Sequence, residues 1–135
     1  MTTRILIADD DPMIRQLIRR VLEDRAEWKV CAEAVNGVDA VAKANDCEPD
    51  VIVMDLAMPR MNGLEAARQI SHGKPEVRML LLTVQEVSKQ LFMEAQNAGF
   101  RGAVSKGSRS EVVKGVEALL GSETYFSVEG ALLVS

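Results

Sequence analysis

Several things are missing from this sequence, and each absence narrows what the chain can be. No apolar run approaches the roughly 20 residues needed to span a bilayer. No charged-then-apolar leader opens the chain; Met1–Arg4 runs straight into a strand pattern, so a cytoplasmic protein is expected. No basic excess exists either. The net charge is -4, which leaves no overall attraction for nucleic acid. There are only two cysteines, Cys31 and Cys47, in apolar surroundings and without metal-ligand spacing. They are expected to be buried free thiols in a reducing compartment. His72 is the sole histidine and is expected on the surface near a helix end. No glycine-rich phosphate loop follows the first strand, which argues against a nucleotide-binding enzyme.

What is present is ordinary globular composition over 135 residues, 47% hydrophobic and 27% charged, enough for one domain with a sizeable core. The stretch ILIADDDP, Ile5–Pro12, poses a question: an apolar strand ends in three adjacent acids that repel one another. Asp11 suits a helix N-cap and Pro12 the first helical position, with Ile14, Leu17, Ile18, Val21 and Leu22 following at helical spacing. Further along, Trp28–Ala34, Val51–Met54, Val77–Leu82 and Gly102–Val104 are expected strands. Helical patterns follow each strand, the last ending at Gly121. Five strand–helix units imply an α/β fold, a parallel sheet with helices on both faces and right-handed crossovers. The tail Ser122–Ser135, with Tyr125, Phe126, Leu132, Leu133 and Val134, is expected to make a turn and one short helix against the body or a partner.

In an open parallel sheet, ligands bind beyond the carboxyl ends of the strands. Asp9 and Asp10 follow the first strand, Asp55 the third, Thr83 the fourth and Lys106 the fifth. Individually, an acid before a helix caps it, a strand-end Thr makes a turn bond and a loop Lys is solvated. One helix needs only one N-cap, however, and Asp11 provides it. Two carboxylates about 4 Å apart repel by roughly 4 kcal/mol at an effective dielectric near 20. A divalent cation reverses that cost, and all-oxygen ligands favour Mg²⁺ over zinc. A Mg²⁺ site with a hydroxyl, a lysine and one isolated carboxylate suits phosphoryl transfer, with Asp55 as nucleophile.

The fragments ILIADD, VIVMDLAMPRMNG, LLLT and GFRGAVSKG, in this order and spacing, resemble the receiver domain of bacterial two-component response regulators. The resemblance covers Arg4 to about Leu120 and implies a doubly wound five-stranded sheet of order 2-1-3-4-5 with five helices. It divides the chain into a receiver domain, 1–121, and an extension or linker start, 122–135. It implies that Asp55 takes a phosphoryl group from a sensor kinase's histidine. Asp10 would ligate Mg²⁺ directly, Asp9 largely through water, and Ala57 through its backbone carbonyl. Thr83 and Lys106 would contact the phosphoryl group. Where the family commonly has an aromatic switch residue, this sequence has Ala103, which leaves the backbone or another side chain such as Phe100 to transmit the signal. Gly107 stands where many relatives have proline, and that loop is expected to be more mobile.

The segment GFRGAVSKGSRSEVVKGVEALLGSETYFSVE also resembles the NarL/FixJ subfamily, in which such a tail leads into a helix-turn-helix DNA-binding domain. The expectation is a receiver cut from a longer transcription regulator, touching DNA only through an absent domain and pairing with a second copy on phosphorylation. The alternative is a receiver-like module that binds partners without phosphate, which Ala103 favours. An aspartyl-phosphate phosphatase would need an acid two residues after its nucleophile, where this chain has Ala57.

Overall fold

A computed structural model describes residues 2–84, 87–128 and 131–133. Its elements run β1 (Thr3–Ala8), α1 (Pro12–Leu22), β2 (Trp28–Ala34), α2 (Gly37–Cys47), β3 (Val51–Asp55) and α3 (Gly63–Gly73). They continue with β4 (Arg78–Thr83), α4 (Lys89–Ala98), β5 (Gly102–Ser105), α5 (Arg109–Leu120), β6 (Tyr125–Val128) and β7 (Ala131–Leu133). The sheet order is β2-β1-β3-β4-β5-β6-β7. The strands β1 to β6 are mutually parallel, and β7 returns antiparallel to β6.

The helices start where polar side chains can satisfy exposed backbone N–H groups. Asp11 accepts from Met13 N, Asn36 from Asp39 N, Asn62 from Glu65 N, Ser88 from Leu91 N and Ser108 from Glu111 N. Alternating side chains of the central strands feed two cores. Ile5, Ile7, Val51, Val53, Leu80, Leu82 and Val104 face α1 and α5, together with Ile18, Leu22, Val112 and Leu119. Leu6, Ala8, Ile52, Met54, Met79, Leu81 and Ala103 face the opposite side, among Ala40, Ala67, Ile70, Leu91 and Ala95 of α2, α3 and α4. Burial on both sides explains why these strands are unbroken apolar runs rather than alternating ones.

One strand changes faces along its length. The register pairs Ile5 with Val30 but Leu6 with Ala32, so Cys31 is an extra residue, a β-bulge. Trp28 and Val30 therefore pack on the α1/α5 side, whereas Ala32 and Ala34 pack on the other. Cys31 and Cys47 are free thiols, as expected, but both are half-buried rather than buried. The bulge and the end of α2 hold them at the sheet's rim.

The tail departs from expectation. It forms no helix in its described part and extends the five expected strands with β6 and β7. Tyr125–Val128 (YFSV) carries two aromatics and a valine, residue types that favour strands, and pairs alongside Gly102 and Ala103 of β5. Val134 lies outside the described residues. Gly102 permits the addition, since a Cβ there would stand 2.6 Å from the Tyr125 carbonyl oxygen. Tyr125 leans to the α5 side and donates its hydroxyl to the Glu111 carboxylate at 3.1 Å. Phe126 turns to the other side, is fully buried, and lies beside Ala103 in the register. Its ring meets Phe92 of α4 edge-on, with centroids 4.7 Å apart. A small residue on β5 thus leaves room for a ring from the neighbouring strand. Truncating that ring in Phe126→Ala should cost about 3–5 kcal/mol in urea unfolding. A loss below about 1 kcal/mol would show that β6 does not pack on the body.

Candidate functional site

The strand ends place the acids as the topology requires. Asp9 follows β1, Asp55 closes β3, Thr83 closes β4, and Lys106 follows β5. Backbone bonds tie these ends into one rim. Leu56 N donates to Leu82 O at 2.9 Å, Lys106 N to Thr83 O at 2.9 Å, and Asp9 N to Ala34 O at 3.0 Å. Asp9, Asp55 and Thr83 are the buried polar and charged residues of the described chain, while Asp10 is exposed beside them. One carboxylate oxygen from each of Asp9, Asp10 and Asp55 lies within 4.8 Å of the others.

Lys106 organises this cluster. Its Nζ donates to Asp55 Oδ2 at 3.0 Å and stands 3.0 Å from Asp9 Oδ2. The contact to Asp9 is an ion pair without hydrogen-bond alignment, so Asp9 Oδ2 is otherwise unpartnered although fully buried. The other oxygen, Asp9 Oδ1, accepts from Asp11 N at 2.8 Å. Asp9 is therefore less idle than the sequence suggests, since it also shapes the turn into α1. Its backbone carbonyl accepts from Arg15 Nη1 at 2.6 Å, and Arg15 in turn pairs with Glu33 on β2 at 3.0 Å. Arg15 has no sequence motif; only the fold shows that it braces the Asp9 backbone.

The electrostatics follow from burial. Burial pushes the Asp55 carboxyl above its ordinary value; Lys106 and the Ala57 backbone amide pull it down, and Asp9 pushes it up. Partial burial opposes the Lys106 charge, but the neighbouring carboxylates of Asp9 and Asp55 outweigh this and hold the ammonium above its ordinary value. One ammonium against three carboxylates leaves the site negative. Three oxygen donors without His or Cys fit a hard divalent cation such as Mg²⁺.

The start of α3 lies against this rim. Gly63 N donates to Leu56 O at 2.8 Å, and a Cβ at Gly63 would collide with the Asp55 carbonyl oxygen. Gly63 is a site-shaping residue whose only sequence signal is the Asn62-Gly63 turn. Among the expected site residues, the structure brings together Asp9, Asp10, Asp55, Thr83 and Lys106. Ala57 joins through its backbone amide. Ala103, the expected switch position, is fully buried one residue along β5 from the face of Val104. Phe100, offered as its substitute, is buried on the same side, but the ring next to Ala103 in the register is Phe126.

A raised Asp55 carboxyl costs stability once it ionises. Below its unfolded value both states hold the proton. Between the unfolded and folded values the folded chain binds more protons, so stability falls as pH rises, and above that window the cost persists. The variant Asp55→Asn should therefore unfold at a higher urea midpoint than the parent at pH 7. The gap should close as pH falls below 3.8, the ordinary carboxyl value. A gap that widens in acid would overturn this assignment.

Comparison with known proteins agrees with the geometry. The response regulator receiver domain family matches residues 5–127. The chain is 34% identical over 134 residues to an uncharacterized transcriptional regulatory protein, YxjL, of Bacillus subtilis, covering 98% of this chain and 61% of that protein. It is 36% identical over 124 residues to the response regulator UvrY of Escherichia coli, covering 91% of this chain and 56% of that protein. The chain thus spans less than two thirds of these relatives. Among solved structures, a LuxR-family two-component response regulator from Aurantimonas sp. superposes with a TM-score of 0.88 at 33% identity, covering 96% of this chain and 91% of that one. The signal receiver domain of the putative response regulator NarL from Mycobacterium tuberculosis gives 0.84 at 28% identity, covering 90% and 98%. A match over nearly the whole chain, joined to this constellation of side chains, means that the chain belongs to the response regulator receiver domain family.

Proposed function

We propose that this receiver accepts a phosphoryl group on Asp55 from a phosphohistidine of a sensor kinase, and that it does so with Mg²⁺. The observation that supports this most directly is the buried Asp55 carboxylate, held 3.0 Å from Lys106 and within 4.8 Å of the acidic pair. Asp10, Asp55 and the Ala57 carbonyl would hold the ion, with Asp9 behind them. Bound there, Mg²⁺ supplies charge neutralisation at phosphoryl oxygens.

This chain's own residues do the rest. An Asp55 oxygen attacks phosphorus, the new O–P bond forms, the N–P bond to the donor imidazole breaks, and that nitrogen leaves with the electron pair. Lys106, already paired with Asp55, stays within reach of a transferred phosphoryl oxygen. The Thr83 hydroxyl, on the adjacent strand end, hydrogen-bonds another. Burial raises the carboxyl, so Asp55 is a stronger nucleophile when ionised than an exposed aspartate would be. The added charge of about -1.5 to -2 draws Thr83 and the loop after β4 towards the site.

One relative is a transcriptional regulatory protein, of which this chain spans 61%. In this reading the receiver is the input half of a transcription regulator whose DNA contacts lie in another domain. Ala103 favours a second reading, phosphate-independent partner binding, because β5 carries no ring at that position and the neighbouring ring, Phe126, comes from β6.

Incubating the chain with acetyl phosphate and Mg²⁺ should add the mass of one phosphoryl group. The gain should vanish with EDTA and in Asp55→Asn, and should fall at least about tenfold in rate in Lys106→Ala. Absence of any gain while Mg²⁺ still binds would leave the phosphate-independent reading standing.

A further inference from the structure

The two cysteines do more than fill space. Cys31 is the extra residue of the β2 bulge, and Cys47 is the last residue of α2. Their Sγ atoms lie 2.7 Å apart across 16 residues of sequence. Trp28 and Val30 face the α1/α5 core, so the strand's alternation points the Cys31 thiol to the α2 side. The bulge keeps Ala32 on that side too. The other thiol is pinned as well. Arg4 Nε donates to the Cys47 carbonyl at 3.0 Å, and Glu48 beyond it takes the left-handed conformation that ends α2. Two independently fixed backbones thus deliver two thiols to one point at the surface, where both are half-exposed.

The spacing discriminates between two chemistries. Thiolates sharing a tetrahedral metal with bonds of about 2.3 Å stand roughly 3.8 Å apart, well beyond what is seen here. Among the described residues, no third Cys, His or acid converges on the pair either; the group of three or more such side chains is Asp9, Asp10 and Asp55. A separation shorter than ordinary contact suits a bond between the sulfurs, which needs about 2.05 Å.

We propose that Cys31 and Cys47 are a reversible redox pair that closes to an intramolecular disulfide by exchange with a small-molecule disulfide, oxidised glutathione or its chemical equivalent. One cysteine thiolate attacks a sulfur of that oxidant, forming a mixed disulfide and releasing one small thiolate. The second cysteine gives up its proton and attacks the protein sulfur of the mixed disulfide, releasing the other. The protein loses two hydrogens, its two electrons pass to the oxidant, and the oxidant ends as two thiols. Burial, with the neighbouring Cys47, pushes the Cys31 thiol up to about 12.

The pair is tested on the full chain, reduced, then equilibrated in buffers of graded oxidised and reduced glutathione. Samples are quenched in acid, alkylated and weighed intact. The folded chain should lose the mass of two hydrogens and both alkylation sites together. Cys31→Ser and Cys47→Ser should each stop at one bound glutathione. The same titration in urea sets the scale, because thiols joined by a flexible chain have an effective concentration of roughly mM. Closure of the folded chain should need a buffer at least about tenfold less oxidising than closure of the unfolded one. Two glutathiones on the folded parent chain, or a folded chain that closes no more readily than the unfolded one, would overturn the proposal.

Discussion

The Lys106 ammonium between Asp9 and Asp55 is the interaction on which the functional rim depends. Three acids at the ends of parallel strands would push the sheet's edge apart. One cation from β5 spans the gap to β1 and β3 and compensates part of that repulsion. It does so from a half-buried position, where charge pairs matter more than on an open surface. The remaining negative charge is unspent, and a cation held there, as proposed, would neutralise it. Stability and the proposed chemistry pull in opposite directions here: an ionised, buried Asp55 weakens the fold at neutral pH, and that same carboxylate is the nucleophile the proposal requires.

Around that pair, the fold is an arrangement for bringing four strand ends to one edge without exposing backbone. The parallel order with β1 and β3 in the middle places Asp9 and Asp55 on adjacent strands. Helix starts capped by Asp11 and Asn62 set the loops close by. Arg15 and Gly63 act at one remove, the first by holding the Asp9 carbonyl, the second by leaving room for the Asp55 backbone.

Much of this was legible in the amino acids themselves. Unbroken aliphatic runs marked buried parallel strands, and Asp11-Pro12 marked the entry of the first helix to within a residue. The site residues were legible because strand ends in such a sheet must converge. The failures also have physical causes. YFSV is short, and four residues cannot display enough periods to separate strand from helix against an apolar background. The thiol pair was invisible because it joins a strand residue to a helix end 16 residues further on, and only the packing of α2 on β2 brings the two together. Arg15 was hidden in a helix rich in arginines, where charge alone does not say which one turns inward.

The bulge in β2 shifts the phase of this strand. Val30 and Ala32, two positions apart, would share one face of a regular strand, and the bulge at Cys31 is what puts them on opposite cores. Because Ile5 pairs with Val30 and Leu6 with Ala32, the sheet could lose this one position and keep both halves facing as they do. What a deletion there would take away is the thiol, not the packing.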